Sequence, residues 1–126
     1  MHQAKLNSVF SLSAQERYNY LIRRAADFEE VWLIKAATGV ATSVNNAGKA
    51  ALAIFPEREF AEYFLVNDWQ AYALERVKLN AFYLLLNQWQ EQQLKVAGFP
   101  GTDLNSVVVT AEEMKNHLLH ESQQYE

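Results

Sequence analysis

Cysteine is absent from the chain. Its absence excludes disulfides, thiolate-ligated zinc sites and cysteine nucleophiles together, and it fits a cytoplasmic protein. Glycine is sparse: Gly39, Gly48, Gly98 and Gly101 stand apart from one another. Neither a GxxxxGK nor a GxGxxG phosphate loop can be assembled from them, which argues against a nucleotide enzyme. There is no Gly-x-Ser-x-Gly elbow, and no base partner is visible for Ser8, Ser11, Ser13, Ser43, Ser106 or Ser122. Long hydrophobic runs are missing as well. The longest apolar stretch, 77–86, is interrupted by Lys78 and Asn80, and a membrane span needs about 20 residues. The N-terminal MHQAKLNSVF lacks the basic and apolar regions of a signal peptide. Positive charge is not in excess either. A formal net charge of −4 and a pI near 5.4 leave no electrostatic footprint for nucleic acid or an anionic membrane surface. Arg17, Arg23 and Arg24 are the one local basic group. The expectation is a cytoplasmic protein with no nucleic-acid partner, no membrane partner and no cofactor.

What is present suits a packed domain. Half of the 126 residues are hydrophobic and 13% are aromatic. That is enough for one core and too short for two ordinary domains. The stretch 17–32, RYNYLIRRAADFEEVW, organises the chain. Ser13 and Glu16 form a capping box ahead of it. Tyr18, Leu21, Ile22 and Ala25 then recur at i, i+3, i+4 and i+7, the stripe of a helix buried on one side. Arg17, Tyr20, Arg24 and Asp27 share another face. At Glu30 the period becomes extended, and Val31, Trp32, Leu33 and Ile34 form an apolar run expected of a central strand.

Beyond this run, Gly39 marks a turn and Val40, Thr42 and Val44 alternate as a second strand. Asn45, Asn46, Ala47 and Gly48 form a turn cluster, and residues 50–55 make a third strand. The short connections predict a three-stranded antiparallel meander. Pro56 ends it. A second helix follows, with Glu57 and Glu59 in its first turn and Phe60, Ala61 and Phe64 inward, closed by Asn67 and Asp68. Trp69 and Tyr72 lead into a short strand over 73–79. Asn80 is the expected N-cap of a third helix, whose stripe is Phe82, Leu85, Leu86 and Trp89. Two final strands, 94–99 and 106–109, flank a turn at Pro100, Gly101, Thr102 and Asp103. Thr110 and Glu113 then make a second capping box, opening a last helix with Met114 and Leu118 inward.

The order predicts an α+β fold: a mainly antiparallel sheet of five to six strands, with about four helices packed mostly on one face. Residues 1–12 read as an N-terminal arm docked by Val9, Phe10 and Leu12. Residues 13–120 read as a single domain and 121–126 as a polar C-terminal tail that frays.

These residues resemble a bacterial family known only as domain of unknown function 2750. The resemblance lies in Arg17-Tyr18-x-Tyr20-Leu21-Ile22, Ala26-Asp27, Val31-Trp32, Gly39, Phe55-Pro56, Phe60-Ala61-Glu62, Trp69, Tyr72, Phe82, Leu86, Phe99-Pro100, Val107-Val108-Val109 and Glu112-Glu113. It spans roughly residues 17–118. The chain departs from the family pattern at Val40, where the family often has Trp, at Ala53-Ile54-Phe55-Pro56, where it often has Pro-Val-Trp-Pro, and at Thr110, where it often has Pro. The resemblance supports the fold and implies no activity.

Three constellations could carry chemistry. His117 and His120 stand three apart on a helix with Glu113 and Glu121 nearby, a spacing suited to a divalent metal. Histidines in a last helical turn are explained equally by the helix dipole, and no metal is expected. The acidic clusters Glu29-Glu30, Glu57/Glu59/Glu62 and Glu112-Glu113 fit helix termini and solvated faces rather than acid–base pairs. Arg17, Tyr20 and Arg24 offer a basic-aromatic face able to bind an anion or an acidic partner, unless internal partners consume their charges. Trp69 and Tyr72, in a connection between helix and strand, are the aromatics best placed to line a groove. The expected binding surface is therefore Arg17, Tyr20, Arg24, Trp69 and Tyr72. The favoured function is a non-catalytic module that binds another protein or itself. The alternative is a small-molecule binder or enzyme with a pocket near Trp69, Tyr72 and Phe55.

Overall fold

A computed structural model describes residues 2–44 and 47–125, with Tyr125 described for its backbone only. Asn45 and Asn46 of the expected turn cluster, and Met1 and Glu126 at the ends, lie outside the described residues. The helices are α1 (Gln3–Phe10), α2 (Ala14–Phe28), α3 (Arg58–Leu65), α4 (Leu79–Glu91) and α5 (Ala111–Ser122). The strands are β1 (Glu30–Ala36), β2 (Gly39–Val40), β3 (Thr42–Val44), β4 (Ala50–Phe55), β5 (Ala73–Lys78), β6 (Lys95–Gly98) and β7 (Val107–Thr110). A 3₁₀ turn over Gln123–Tyr125 follows α5.

Both expected capping boxes form. Ser13 Oγ accepts from the Glu16 amide and the Glu16 carboxylate accepts from the Ser13 amide. Thr110 and Glu113 repeat the exchange at α5. At its other end α2 stops on Glu29, which takes the left-handed conformation with φ of 57°. That single residue turns the chain from helix into β1 with no intervening loop. The helix buries Tyr18, Leu21, Ile22, Ala25 and also Arg17 and Ala26.

The sheet is mixed and has seven strands: the path β2-β1-β4-β6-β7, with β3 added on β4 and β5 on β1. β1 is central, paired antiparallel with β5 along Glu30–Lys35 and with β4 at Trp32–Phe55 and Leu33–Ile54. The expected meander is corrected here. Its middle strand is split into β2 and β3, and β1 reaches β4 directly. β2 runs back along β1 from Gly39, the chain reverses at Ala41, and β3 runs along β4. Ala41 bridges the two strands at the tip of this wedge, its amide donating to Ile34 O and its carbonyl accepting from Ala53.

The second correction is that β4 and β6 are parallel. The chain from α3 through β5 to α4 supplies the crossover that a parallel pair requires. There are five α-helices and seven strands among the described residues, against about four and five to six expected. Leu33 and Ile34 in β1, and Ile54 and Phe55 in β4, are successive pairs at 1% exposure or less. Successive strand residues point to opposite faces, so both faces are covered at the sheet centre.

Residues 1–12, expected as a docked arm, contain α1, started by His2 Nδ1 accepting from the Ala4 amide. It docks through buried Val9 and through Phe10, whose ring lies 5.3 Å from Phe60 and 5.8 Å from Phe99. α4 begins at Leu79 with Lys78 as its cap, not at Asn80, because Leu79 is buried and its amide donates to Glu29 O. Asn80 lies inside the first turn, where Oδ1 accepts from the Ala81 amide.

The core is rich in phenylalanine: Phe55, Phe60, Phe64, Phe82 and Phe99 are all fully buried. Each such side chain contributes about 1.5–3 kcal/mol relative to exposure. Gly98 lets α2 approach β6, since a β-carbon there would collide with the Tyr18 ring.

Candidate functional site

The α2 face expected to bind ligands is divided by the fold. Arg17 points inward and is only 6% exposed. Its guanidinium donates to three backbone carbonyls: Nη1 to Leu12 O at 2.6 Å, Nη2 to Asn105 O at 2.8 Å and Nε to Phe99 O at 3.1 Å. Burial pushes its pKa down, and the charge of Asp103 partly offsets this. The fork of five donors is suited to such a set of acceptors and stays charged at any ordinary pH. Arg17 thus ties α2 to the chain end of α1 and to the 99–105 loop, where Phe99 (φ 61°) and Leu104 (φ 65°) hold left-handed conformations. Gly101 leaves room for it, because a β-carbon would stand 2.8 Å from the guanidinium.

Tyr20 and Arg24 remain together, one turn apart, and meet Glu57 at the start of α3. Arg24 Nε lies 2.8 Å from Glu57 Oε1 and 3.3 Å from Tyr20 Oη, while Tyr20 Oη donates to Glu57 Oε1 at 3.0 Å. The three groups close a triangle. Burial pushes the Tyr20 phenol up, with Arg24 opposing and Glu57 adding to the rise. At Arg24 burial acts downward, but the Tyr20 hydrogen bond and the Glu57 charge outweigh it and the net shift is upward. Arg24 pairs with Glu57 rather than with Asp27 on its own helix.

Around this triangle lies an open cleft of about 490 Å³. Phe28 and Trp32 supply its aromatic wall. The Arg24 guanidinium lies 4.8 Å from the Phe28 ring centre, and that of Arg58 lies 6.0 Å from Trp32. Trp32 Nε1 donates to Glu30 at 3.1 Å. Phe28 is 50% exposed although it is a large apolar residue. Lys5, His2, Glu30 and Glu59 complete the rim.

Trp69 and Tyr72 sit elsewhere, in the turn between α3 and β5. Both are half-buried against the core, with Trp69 5.4 Å from Phe64 and 6.4 Å from Tyr72. Neither lines the Arg24 cleft. Phe55 is fully buried, 5.2 Å from Phe64. The five residues expected to form one surface therefore fall into three places: Arg17 inside, Tyr20 with Arg24, and Trp69 with Tyr72.

Phe28, Trp32, Glu57 and Arg58 escaped the sequence reading as site residues. Phe28 stands outside the buried stripe of α2, and that was the available signal. The Glu57 partnership crosses from one helix to another 33 residues on, and nothing local announces it. His117, read as a candidate metal ligand, instead meets Tyr18 Oη through Nδ1 at 2.6 Å. No group of three metal-binding side chains comes together among the described residues.

Fold and site together define a small α+β domain built on a mixed seven-stranded sheet, with an exposed aromatic-arginine cleft beside the helix-to-strand junction. The chain belongs to the family described as a protein of unknown function, DUF2750, which matches residues 18–118. No curated protein and no solved structure matches it. No helix among the described residues is long and apolar enough to cross a membrane.

Proposed function

We propose that this protein is a non-catalytic protein-interaction module, acting in the bacterial cytoplasm, whose contact surface is the cleft formed by Arg24, Phe28, Trp32 and Arg58. The observation that carries this reading is the half-exposed Phe28 ring held against a guanidinium that is itself fixed by Glu57 and Tyr20. Arginine and aromatic side chains dominate the energetics of protein interfaces. A group already held by internal bonds loses little freedom on binding, so less of the contact energy is spent on ordering. The rim carries Glu30 and Glu59 as well as Lys5. This mixture of signs suits a protein surface better than a nucleic-acid backbone, which selects an excess of cations.

The test is affinity capture from source cells with the wild-type chain and with Phe28→Ala and Arg58→Ala, read by mass spectrometry, with light scattering to detect self-association. The expected result is a partner, or a second copy, retained by the wild type and lost from Phe28→Ala at an unchanged unfolding midpoint. Retention of the same partner by both variants removes the cleft from the interface. A monomer that captures nothing removes the reading itself.

A further inference from the structure

On the far side of α2 from Arg24, a second cleft of about 390 Å³ opens between α2 and α5. It shares no residue with the Arg24 cleft. The volume falls within the roughly 300–1,000 Å³ of ordinary small-molecule sites. Tyr18 and Ile22 give it an apolar side from α2, while Arg23, His117, His120 and Glu121 supply its charged and polar groups. Gln15 and Asn19 also line it and are bonded to each other, Gln15 Nε2 donating to Asn19 Oδ1 at 3.0 Å.

The distribution of arginine partners is informative. Arg17 holds three carbonyls, Arg24 pairs with Glu57, Arg58 with Glu62 and Arg76 with Glu30. Arg23 alone of the five arginines has no hydrogen bond or ion pair among the described residues, and it lines a cleft. A guanidinium is the side chain best matched to a carboxylate, which it can grip with two parallel hydrogen bonds. In the same lining the Tyr18–His117 bond fixes the imidazole against α2, and Tyr18 is almost wholly buried. Burial, reinforced by the charge of Glu113, pushes the Tyr18 phenol well above its ordinary range, so it remains a hydrogen-bond donor at neutral pH.

We infer that the α2–α5 cleft is a binding site for a small monocarboxylate with a flat apolar body. The body lies against Tyr18 and Ile22, and the carboxylate pairs with Arg23. Glu121, the carboxylate of the lining, repels a dianion more than a monoanion and so sets the charge of the ligand. The site is independent of the Arg24 cleft, and each stands without the other.

Titrations followed by NMR on the ring signals of Tyr18, His117 and His120 test this, with benzoate as the monoanion, benzamide as its neutral counterpart and inorganic phosphate as the compact multiply charged ion. Benzoate is expected to give saturable shifts with a Kd of about 10 mM or tighter. Benzamide and phosphate are each expected to bind at least about tenfold more weakly. Arg23→Gln, at an exposed helix position, is expected to weaken benzoate by about tenfold with the unfolding midpoint unchanged. The inference is overturned by benzoate shifts that stay linear, by equal binding of benzoate and benzamide, by tighter binding of phosphate, or by wild-type affinity in Arg23→Gln. The comparison of benzoate with benzamide uses the native chain and decides the matter even where a variant folds poorly.

Discussion

Arg17 shows how one residue on a helix face can be architecture while another on the same face, Arg24, lines an open cleft. Position 17 shares a helical face with Tyr20 and Arg24, and from sequence the three form a basic-aromatic surface. The structure places a loop over that end of the helix, and the guanidinium satisfies the carbonyls of Leu12, Phe99 and Asn105 at once. Removing it takes a donor from one buried and two partly buried carbonyls, of which Asn105 O still accepts from the Gly101 amide. Each such loss costs about 1–3 kcal/mol, so Arg17→Ala is expected to lower stability by about 3–5 kcal/mol, read from the urea midpoint. Arg17→Lys is expected to recover little, since an ammonium cannot reproduce the fork geometry. A loss below about 1 kcal/mol for Arg17→Ala shows that the three bonds are replaced by water. This role was illegible in the sequence for a physical reason: the acceptors lie 82 and 88 residues away for two of the three bonds.

At the scale of elements, what was legible is what is written locally. The two capping boxes, the buried stripe of α2 and the inward faces of α3, α4 and α5 are set by side chains within a few positions of one another. What escaped depends on distant chain: the parallel pairing of β4 with β6, the wedge that splits β2 from β3, and the start of α4 two residues early. The caps also set an acid dependence. Glu16 is held below the usual carboxylate range by bonds to the Ser13 amide and hydroxyl, and Glu113 likewise by Thr110. A depressed folded pKa contributes stability that is fully present above the unfolded value, near 4.3 for glutamate. It is lost as pH falls through the folded value. The double variant Glu16→Gln/Glu113→Gln keeps the capping acceptors but cannot titrate. It is expected to lose less stability than the wild type between pH 6 and pH 3, measured by urea unfolding. Equal losses place the acid response in other carboxylates. Ser13→Ala and Thr110→Ala are each expected to cost about 1 kcal/mol at neutral pH.

For the whole molecule the decisive question is where the domain begins. The family match starts at residue 18, and residues 1–12 are weakly patterned and read from sequence as a docked arm. The packing makes that docking extensive. Phe10 contacts four rings, those of Phe60, Tyr63, Phe64 and Phe99, at centre distances of 5.3–6.1 Å. Leu12 accepts the shortest of the Arg17 bonds, and Val9 is buried in the same core. α1 therefore covers one side of the phenylalanine cluster, and the turn that follows it holds, through Leu12 O, the guanidinium that fixes the 99–105 loop. Phe10→Ala is expected to cost about 3 kcal/mol, the low end of the range for a phenylalanine truncation because the ring is half-buried rather than enclosed. Deletion of residues 1–11 is expected to cost more than the point variant and to reduce the urea m-value, since less surface is then exposed on unfolding. Both follow from a single cooperative unit in which α1 unfolds with the sheet. A truncated chain that unfolds at the wild-type midpoint with the wild-type slope returns residues 1–11 to the status of an arm, and the aromatic contacts of Phe10 then contribute nothing net to the core.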